Sequence, residues 1–518
     1  MTRLPAIAAA IIAAITLPAA AQAANVAFEG ESMTWGGNGQ QLADGSASGG
    51  QAFQNWNTGE GYKDVTLTGG VAALFALVKG DQCPKKPDGS PVTEPTKIEI
   101  KVDGEPVHQG EVPNTTYAEV GGPVSIGAGT HRVSLHMTND AASRTPGAEC
   151  DRNLWVDKVT LYGEPMAPNS FRNQPLSPTE PLHAQSAAWV AELQRQVAVW
   201  GPWIGTTEYS VPIYVVGAQQ SPKFDFKVVG NWHGPGYDDP PNDDQFKDVP
   251  VPTPIPQGPV MSDGADRDLT VWQPATDKYW QFLQTEWDMV SGYRTRKGGR
   301  IDNVSTSPGY QVDPPGWRYS LSATALTMLG TTLRIPELQR GVIDHAVSVG
   351  IPDPKFVHCW PAQSNDYGPA TRDYRENVEG FGDRQYNEMI PEGTRFRLRP
   401  DLDIDALDLP RFTETLAKAI QKYGMVVQDY GGAVGFQAED WRTHWKSDPY
   451  EGENGIFEGH PRGANPPQPA YRDGFFVPHD AVKEGLFYRF PWSDLQVVAV
   501  PPGKPPCAET DHSPMPGE

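Results

Sequence analysis

Basic residues are scarce in this chain. There are 42 Lys and Arg against 64 Asp and Glu, and the formal net charge is −22. A surface of that sign repels phosphate backbones, so nucleic acid is not an expected partner. Membrane-length apolar runs are missing too. Ile7 to Pro18 is apolar but falls short of the ~20 residues that cross a bilayer, so no membrane-spanning segment is expected. Cysteine is sparse, with only Cys83, Cys150, Cys359 and Cys507. None has the C-x-x-C spacing of a zinc or redox site, so a reactive thiol is not expected. No G-x-S-x-G elbow, H-E-x-x-H pair or P-loop occurs, so the signatures of those hydrolase and nucleotide chemistries are absent.

What is present begins with an export signal. Arg3 supplies a positive start, the apolar stretch follows, and Ala21-Gln22-Ala23 is a small-x-small cleavage site. Residues 1–23 are therefore read as a signal peptide and the mature chain as secreted. In an exported chain, four cysteines favour disulfides with three possible connectivities, of which Cys83–Cys150 and Cys359–Cys507 is the natural split. The remaining length suggests two to four domains of about 100–200 residues each. With 53 Gly and 51 Pro, loop-rich β architecture is favoured over helix bundles. Fifteen Trp and 18 Tyr provide rings that can stack on sugar faces.

Residues 24–163 read as short strands separated by Gly-rich turns. Val65–Thr68, Val71–Val78, Lys97–Val102, Thr130–Met137 and Trp155–Tyr162 carry strand patterns, and Asp103-Gly104 is a hairpin turn. The expected fold is a β-sandwich of jelly-roll type. Residues 164–170 are read as a linker. Residues 171–500 are read as a larger β-rich α+β domain, and 501–518 as a Pro-rich tail. Helices are expected over Ala184–Trp200 and over Thr413–Tyr423, the second stopped by Gly424. The Pro-, Gly- and Asp-rich stretch 233–265 reads as a loop.

Oxygen-bearing side chains gather late in the first domain. Asn139-Asp140 is followed, after a short loop, by Cys150-Asp151-Arg152-Asn153-Leu154-Trp155-Val156-Asp157. Ca²⁺ takes several oxygen ligands at once from acidic side chains and loop carbonyls. The preceding strand pattern puts this loop at the edge of a sheet. Asp and Asn also collect in turns for backbone reasons alone, which is the competing explanation.

The same residues carry a family resemblance. Residues 27–163 resemble calcium-dependent, xylan-binding carbohydrate-binding modules. The shared pattern runs through Gly80-Asp81-Gln82-Cys83, Val102-Asp103-Gly104, Ala128-Gly129-Thr130-His131, Asn139-Asp140 and Cys150 to Asp157. The resemblance implies a Ca²⁺ held by loop carboxylates, with two adjacent sugar hydroxyls completing its coordination. Carried over, it implies Asp140 and Asp151 as ligands, with Asn153 and Asp157 as further candidates and the Trp155 carbonyl as an alternative donor. The implied partner is a xylan-like or other cell-wall polysaccharide.

The larger region resembles uncharacterised secreted bacterial proteins through Gly298-Gly299-Arg300, Ala323-Thr324-Ala325 and Gly341 to Ala346. That resemblance carries no activity. A catalytic partner is expected because tethering to a polymer raises effective substrate concentration. Glycoside hydrolysis needs two carboxyls about 5–10 Å apart. The candidates are Glu286 beside Trp287, Asp302 after Gly298-Gly299-Arg300, Asp344 with His345 in an apolar run, and Asp429 after Met425–Val427. A polysaccharide lyase would instead use His345 with Arg334 or Arg300. A non-catalytic adhesion protein is the reading from another class. The structural alternatives are an ion pair of Glu286 with Arg294 or Arg296, a core histidine at His345 and a turn cap at Asp429.

Overall fold

The computed structural model describes residues 25–509, apart from 38, 84–89, 91–93, 148, 221, 229–250, 291, 312–321, 366–388, 460–485 and 488. The expected signal segment, most of the 233–265 loop and the end of the Pro-rich tail lie outside the described residues. The protein is mostly β, with a sandwich followed by a larger β-rich region carrying a few helices. Among the described residues, no helix is long and apolar enough to cross a membrane.

Two antiparallel sheets make the sandwich. Gly39–Ala43, Gln51–Asn55, Asn153–Gly163, Val71–Asp81 and Ala118–Ile126 form one, with Val26–Glu29 added on Asn153–Gly163. Thr34–Trp35, Glu60–Leu67, Gly129–Met137, Thr96–Val102 and Glu105–Val112 form the other. Thr96–Val102 shows why the sequence folds this way. Thr96, Ile98, Ile100 and Val102 are buried, while Lys97, Glu99 and Lys101 are half-buried on the opposite face. Asp103 and Gly104 both have positive φ (53° and 91°), which a tight two-residue hairpin requires. Ile98, Ile100, Val133 and Leu135 meet Leu74, Val78, Leu154 and Val156 from the facing sheet.

Val71–Asp81 breaks the alternation. Ala72, Ala73 and Phe75 point away from the sandwich core and are still buried. They pack with Tyr162 and Met166 against Val211, Ile213, Trp272 and Tyr279 of the larger region. A strand covered on both sides reads as a continuous apolar run. The segment after the sandwich is packed as well. Met166 is fully buried, and Asn173 Nδ2 donates to the carbonyls of Pro165, Met166 and Ala167.

The larger region centres on a six-stranded mixed sheet. Its order is Pro202–Gly205, Val434–Gln437, Val347–Ile351, Met425–Tyr430, Arg395–Leu398 and Leu495–Val497. The helices Ser186–Trp200 and Arg411–Lys422 contribute Leu193, Val197, Leu416 and Ile420 to its core. The second helix ends where Gly424 takes φ +85°, at the expected stop. Among the described residues, the region also holds two four-stranded sheets and a three-stranded sheet. Both disulfides form as the natural split expects, Cys83–Cys150 and Cys359–Cys507.

Candidate calcium and glycan site

Gly129–Met137 delivers the chain to the acidic loop. This strand is central in its sheet, between Glu60–Leu67 and Thr96–Val102. The loop therefore leaves the end of a sheet and not its lateral edge. Asn139 anchors the exit: its Oδ1 accepts from the Lys97 amide at 2.7 Å, and its Nδ2 donates to the Pro95 carbonyl at 2.8 Å. A small hairpin follows in which Ala142 and Ser143 pair with Asp151 and Cys150. The Arg152 amide closes it on the Ala141 carbonyl at 2.8 Å.

The hairpin brings Asp140 and Asp151 together, both exposed. Partial burial, then the negative charge of Asp151, raise the Asp140 carboxyl above its ordinary value. Two carboxylates that repel one another on a loop are a natural seat for a divalent cation. The underside of the loop is rigid. Arg152 is buried and donates to the carbonyls of Asn139 (3.2 Å), Glu94 (2.7 Å) and Cys83 (3.3 Å). The Cys83–Cys150 disulfide ties down the same corner.

Asn153 and Asp157 are both buried, and Asn153 stands across the hairpin from Asp140 in the continued register. Leu154 and Val156 enter the sandwich core, so Asn153, Trp155 and Asp157 take the other face of their strand. Asn153 Nδ2 and Trp155 Nε1 both donate to Asp81 Oδ2, at 3.2 and 2.8 Å. Asn153 Oδ1 is buried without a hydrogen-bond partner. Asp157 is buried and accepts from the amide and hydroxyl of Ser48, at 2.9 and 2.8 Å. Ser48 Oγ also lies 3.1 Å from Glu29 Oε2. A Cβ on neighbouring Gly49 would stand 3.8 Å from Glu31 Oε1. Glu29, Glu31 and Asp157 thus border one turn, a second acidic locus that the loop motif does not reveal. Its only sequence trace is the Glu29-Gly30-Glu31 spacing.

Among the described residues, no three His, Cys, Asp or Glu side chains stand close enough to hold a metal by themselves. The donor set at Asp140 and Asp151 still fits Ca²⁺, a hard cation that also takes carbonyl, water and ligand oxygens. The outer sheet face of the sandwich carries aromatic and polar groups. Trp155 stands opposite Gln54, which accepts from Trp56 Nε1 at 3.1 Å. Trp56 is exposed. Lys79 lies between the rings of Tyr117 (4.6 Å) and Trp155 (4.7 Å), ion-paired with Asp44.

The five candidates of the larger region lie on four segments, with Asp344 and His345 adjacent on one of them. Glu286 opens Glu286–Asp288 and faces Arg294 across the hairpin. Asp302 ends Lys297–Asp302 and is ion-paired with Arg300 at 3.0 Å. Asp344 pairs with Arg340 at 2.6 Å. His345 is buried, with Nε2 3.1 Å from Glu337 Oε2 and Nδ1 2.8 Å from the Ala346 carbonyl. Asp429 lies within Met425–Tyr430, opposite Gly350. A cavity of about 280 Å³ opens beside the Cys359–Cys507 disulfide, and Glu180 is the one carboxylate among its lining residues. None of the five candidates lines it.

Comparison with known proteins is consistent with the module. CBM60, a Ca-dependent, xylan-binding carbohydrate-binding module family, matches residues 84–174. Among solved structures, the CBM36-1 domain of a multidomain xylanase from the hindgut metagenome of Trinervitermes trinervoides is 14% identical. That match covers 27% of this chain and 96% of the other, with a TM-score of 0.21. A CBM36 module in complex with calcium and xylotriose is 12% identical, over 26% of this chain and 98% of the other, with a TM-score of 0.20. A family 35 carbohydrate-binding module from Clostridium thermocellum is 18% identical, over 26% and 97%, with a TM-score of 0.19. No curated protein matches the chain. Residues 84–174 are thus similar to the Ca-dependent, xylan-binding carbohydrate-binding modules of CBM60.

Proposed function

We propose that this is an exported protein that binds a xylan-like polysaccharide through Ca²⁺ held at Asp140 and Asp151. The observation that carries the reading is the hairpin that sets these two exposed carboxylates side by side on a rigid corner. Bound there, Ca²⁺ would supply open coordination positions that favour paired hydroxyl oxygens. The residues do the rest. Asp140 and Asp151 supply negative charge, Arg152 and the disulfide hold the loop, and Trp155 and Trp56 offer ring surface alongside. Export is supported by the signal-like residues 1–23 and by the two disulfides.

Calorimetry with xylotriose, with and without EDTA, tests this. A binding component that disappears in EDTA and returns with Ca²⁺ is expected, and the absence of any EDTA-sensitive component would sink the reading.

Glycoside hydrolysis by the larger region has less behind it. It requires two carboxyls about 5–10 Å apart in one cleft. Asp302 and Asp344 are engaged in ion pairs, and Glu286 faces an arginine. His345, the base of a lyase alternative, has both ring nitrogens engaged in the interior. Binding without catalysis is the second reading, favoured by the engagement of these residues. Incubation with a polysaccharide panel and mass spectrometry of the products decides the point, and released oligosaccharide would restore the enzyme reading.

A further inference from the structure

We propose that the cavity beside the Cys359–Cys507 disulfide is a second glycan site, built to take a single pyranose ring without Ca²⁺. The choice of a sugar rests on the reading above that this protein works on polysaccharide, but the site is separate from the acidic hairpin.

The cavity has three properties of a sugar pocket. First, its walls are aromatic. Tyr310 and Trp360 both line it. Each is braced by the buried Phe171, with ring centroids 6.5 Å apart in a stacked pair and 6.1 Å apart edge to face. Ring faces held in this way meet the C–H surface of a pyranose. Second, polar groups of both signs line it. Glu180 can accept from hydroxyls and Lys504 can donate to them. A mainly apolar pocket with a few placed polar groups is the usual form of a small-ligand site. Third, neutral polar side chains, Asn169, Gln174 and His183, line it as well.

Size limits the ligand. At about 280 Å³ the space is at the low end for small-molecule sites, enough for one ring and not for a long segment of chain. Lys504 Nζ now rests 5.3 Å from the centre of the Trp360 ring, on the surface a sugar would cover. It extends from an exposed turn closed by its own amide on the Pro501 carbonyl at 3.1 Å. A ligand would displace it and could then use the ammonium as a donor. The disulfide fastens this stretch, through Cys507, to the wall that carries Trp360.

The test uses the full chain in EDTA, titrated calorimetrically with xylotriose, cellotriose, mannotriose and galactotriose. At least one should bind 1:1 without Ca²⁺. Trp360→Ala and Glu180→Gln should each weaken that binding tenfold or more, while the EDTA-sensitive binding stays intact and shows that both variants are folded. Asp151→Ala should do the reverse. No Ca²⁺-independent binding by any of the four, or binding that survives both cavity variants, overturns the proposal. Loss of only the EDTA-sensitive component would count against the hairpin site and leave this one standing.

Discussion

Glu164, the residue after the last sandwich strand, is ion-paired with Arg334 of the larger region. Arg334 also holds Glu337 at 2.7 Å, and Glu337 meets His345 at 3.1 Å. Burial alone would push the Glu337 carboxyl up, but Arg334 and His345 bring it down to about 2. Ala72, Ala73 and Phe75 add an apolar contact with the larger region. The sandwich is therefore built into the rest of the protein and does not hang from a tether. Arg334→Ala strands two buried carboxylates, and breaking a buried pair from one side costs about 3–5 kcal/mol. Urea unfolding should show that loss in a single transition shared by both parts. Two separate transitions would refute the coupling.

The two acidic loci should separate by phenotype. Asp140→Ala and Asp151→Ala should each lower Ca²⁺ and xylotriose affinity at least tenfold, a loss of about 1.4 kcal/mol or more, with little change in stability. Asp157→Ala should act mainly on stability. It leaves the Ser48 amide without its acceptor, at a cost of about 1–3 kcal/mol. Calorimetry and thermal melts on the three variants check both halves. Equal effects of all three on binding would mean that Asp157 belongs to the same ion.

How much of this was legible follows from the range of the interactions. Thr96–Val102 and Asp103-Gly104 could be read directly, because alternation and turn chemistry are local. The helix over residues 411–422 was legible for the same reason. The central sheet of the larger region was not. It pairs Pro202–Gly205 with Val434–Gln437, and Arg395–Leu398 with Leu495–Val497, and strands this short leave little pattern. At the site, the clustering of oxygen-bearing side chains made Asp140, Asp151, Asn153 and Asp157 visible as candidates, but not that Asn153 and Asp157 are buried while Asp140 and Asp151 are exposed, because that depends on which face each residue takes. Nor could it join Glu29 and Asp157, which meet only through Ser48.

Two groups should shape the pH dependence of stability. Desolvation pushes the imidazole of His444 down to about 4 although the residue keeps an exposed edge, and its Nε2 accepts from the Val215 amide at 3.0 Å. A depressed histidine binds fewer protons folded than unfolded. Its contribution is full above the unfolded value near 6.5 and is lost as pH falls through 4. Glu439 behaves oppositely. Burial pushes its carboxyl up to about 8, so its contribution is full below the unfolded value near 4.5 and is lost as pH rises through 8. Melting temperatures across this range should show Glu439→Gln gaining on the parent protein at pH 8.5 relative to pH 5. No relative gain would mean that Glu439 ionises freely in the folded protein.

Gly393 and Gly104 allow conformation to be weighed against space. Both have positive φ, +82° and +91°. A Cβ at Gly104 meets nothing within 4 Å, so Gly104→Ala should cost only the left-handed backbone, about 1–2 kcal/mol. A Cβ at Gly393 would fall 1.8 Å from the Cys359 carbonyl oxygen and 2.9 Å from the Ala362 Cβ. The Gly393 amide also donates to the Val427 carbonyl at 2.7 Å, so the backbone cannot move away without losing that bond. Gly393→Ala should therefore cost more than Gly104→Ala by about 1–3 kcal/mol. It should also disturb the cavity wall that Gly393 helps to line. Urea titrations of the two variants measure the difference. Equal losses would mean that the Cys359 carbonyl yields, and that the wall of the cavity is softer than its packing implies.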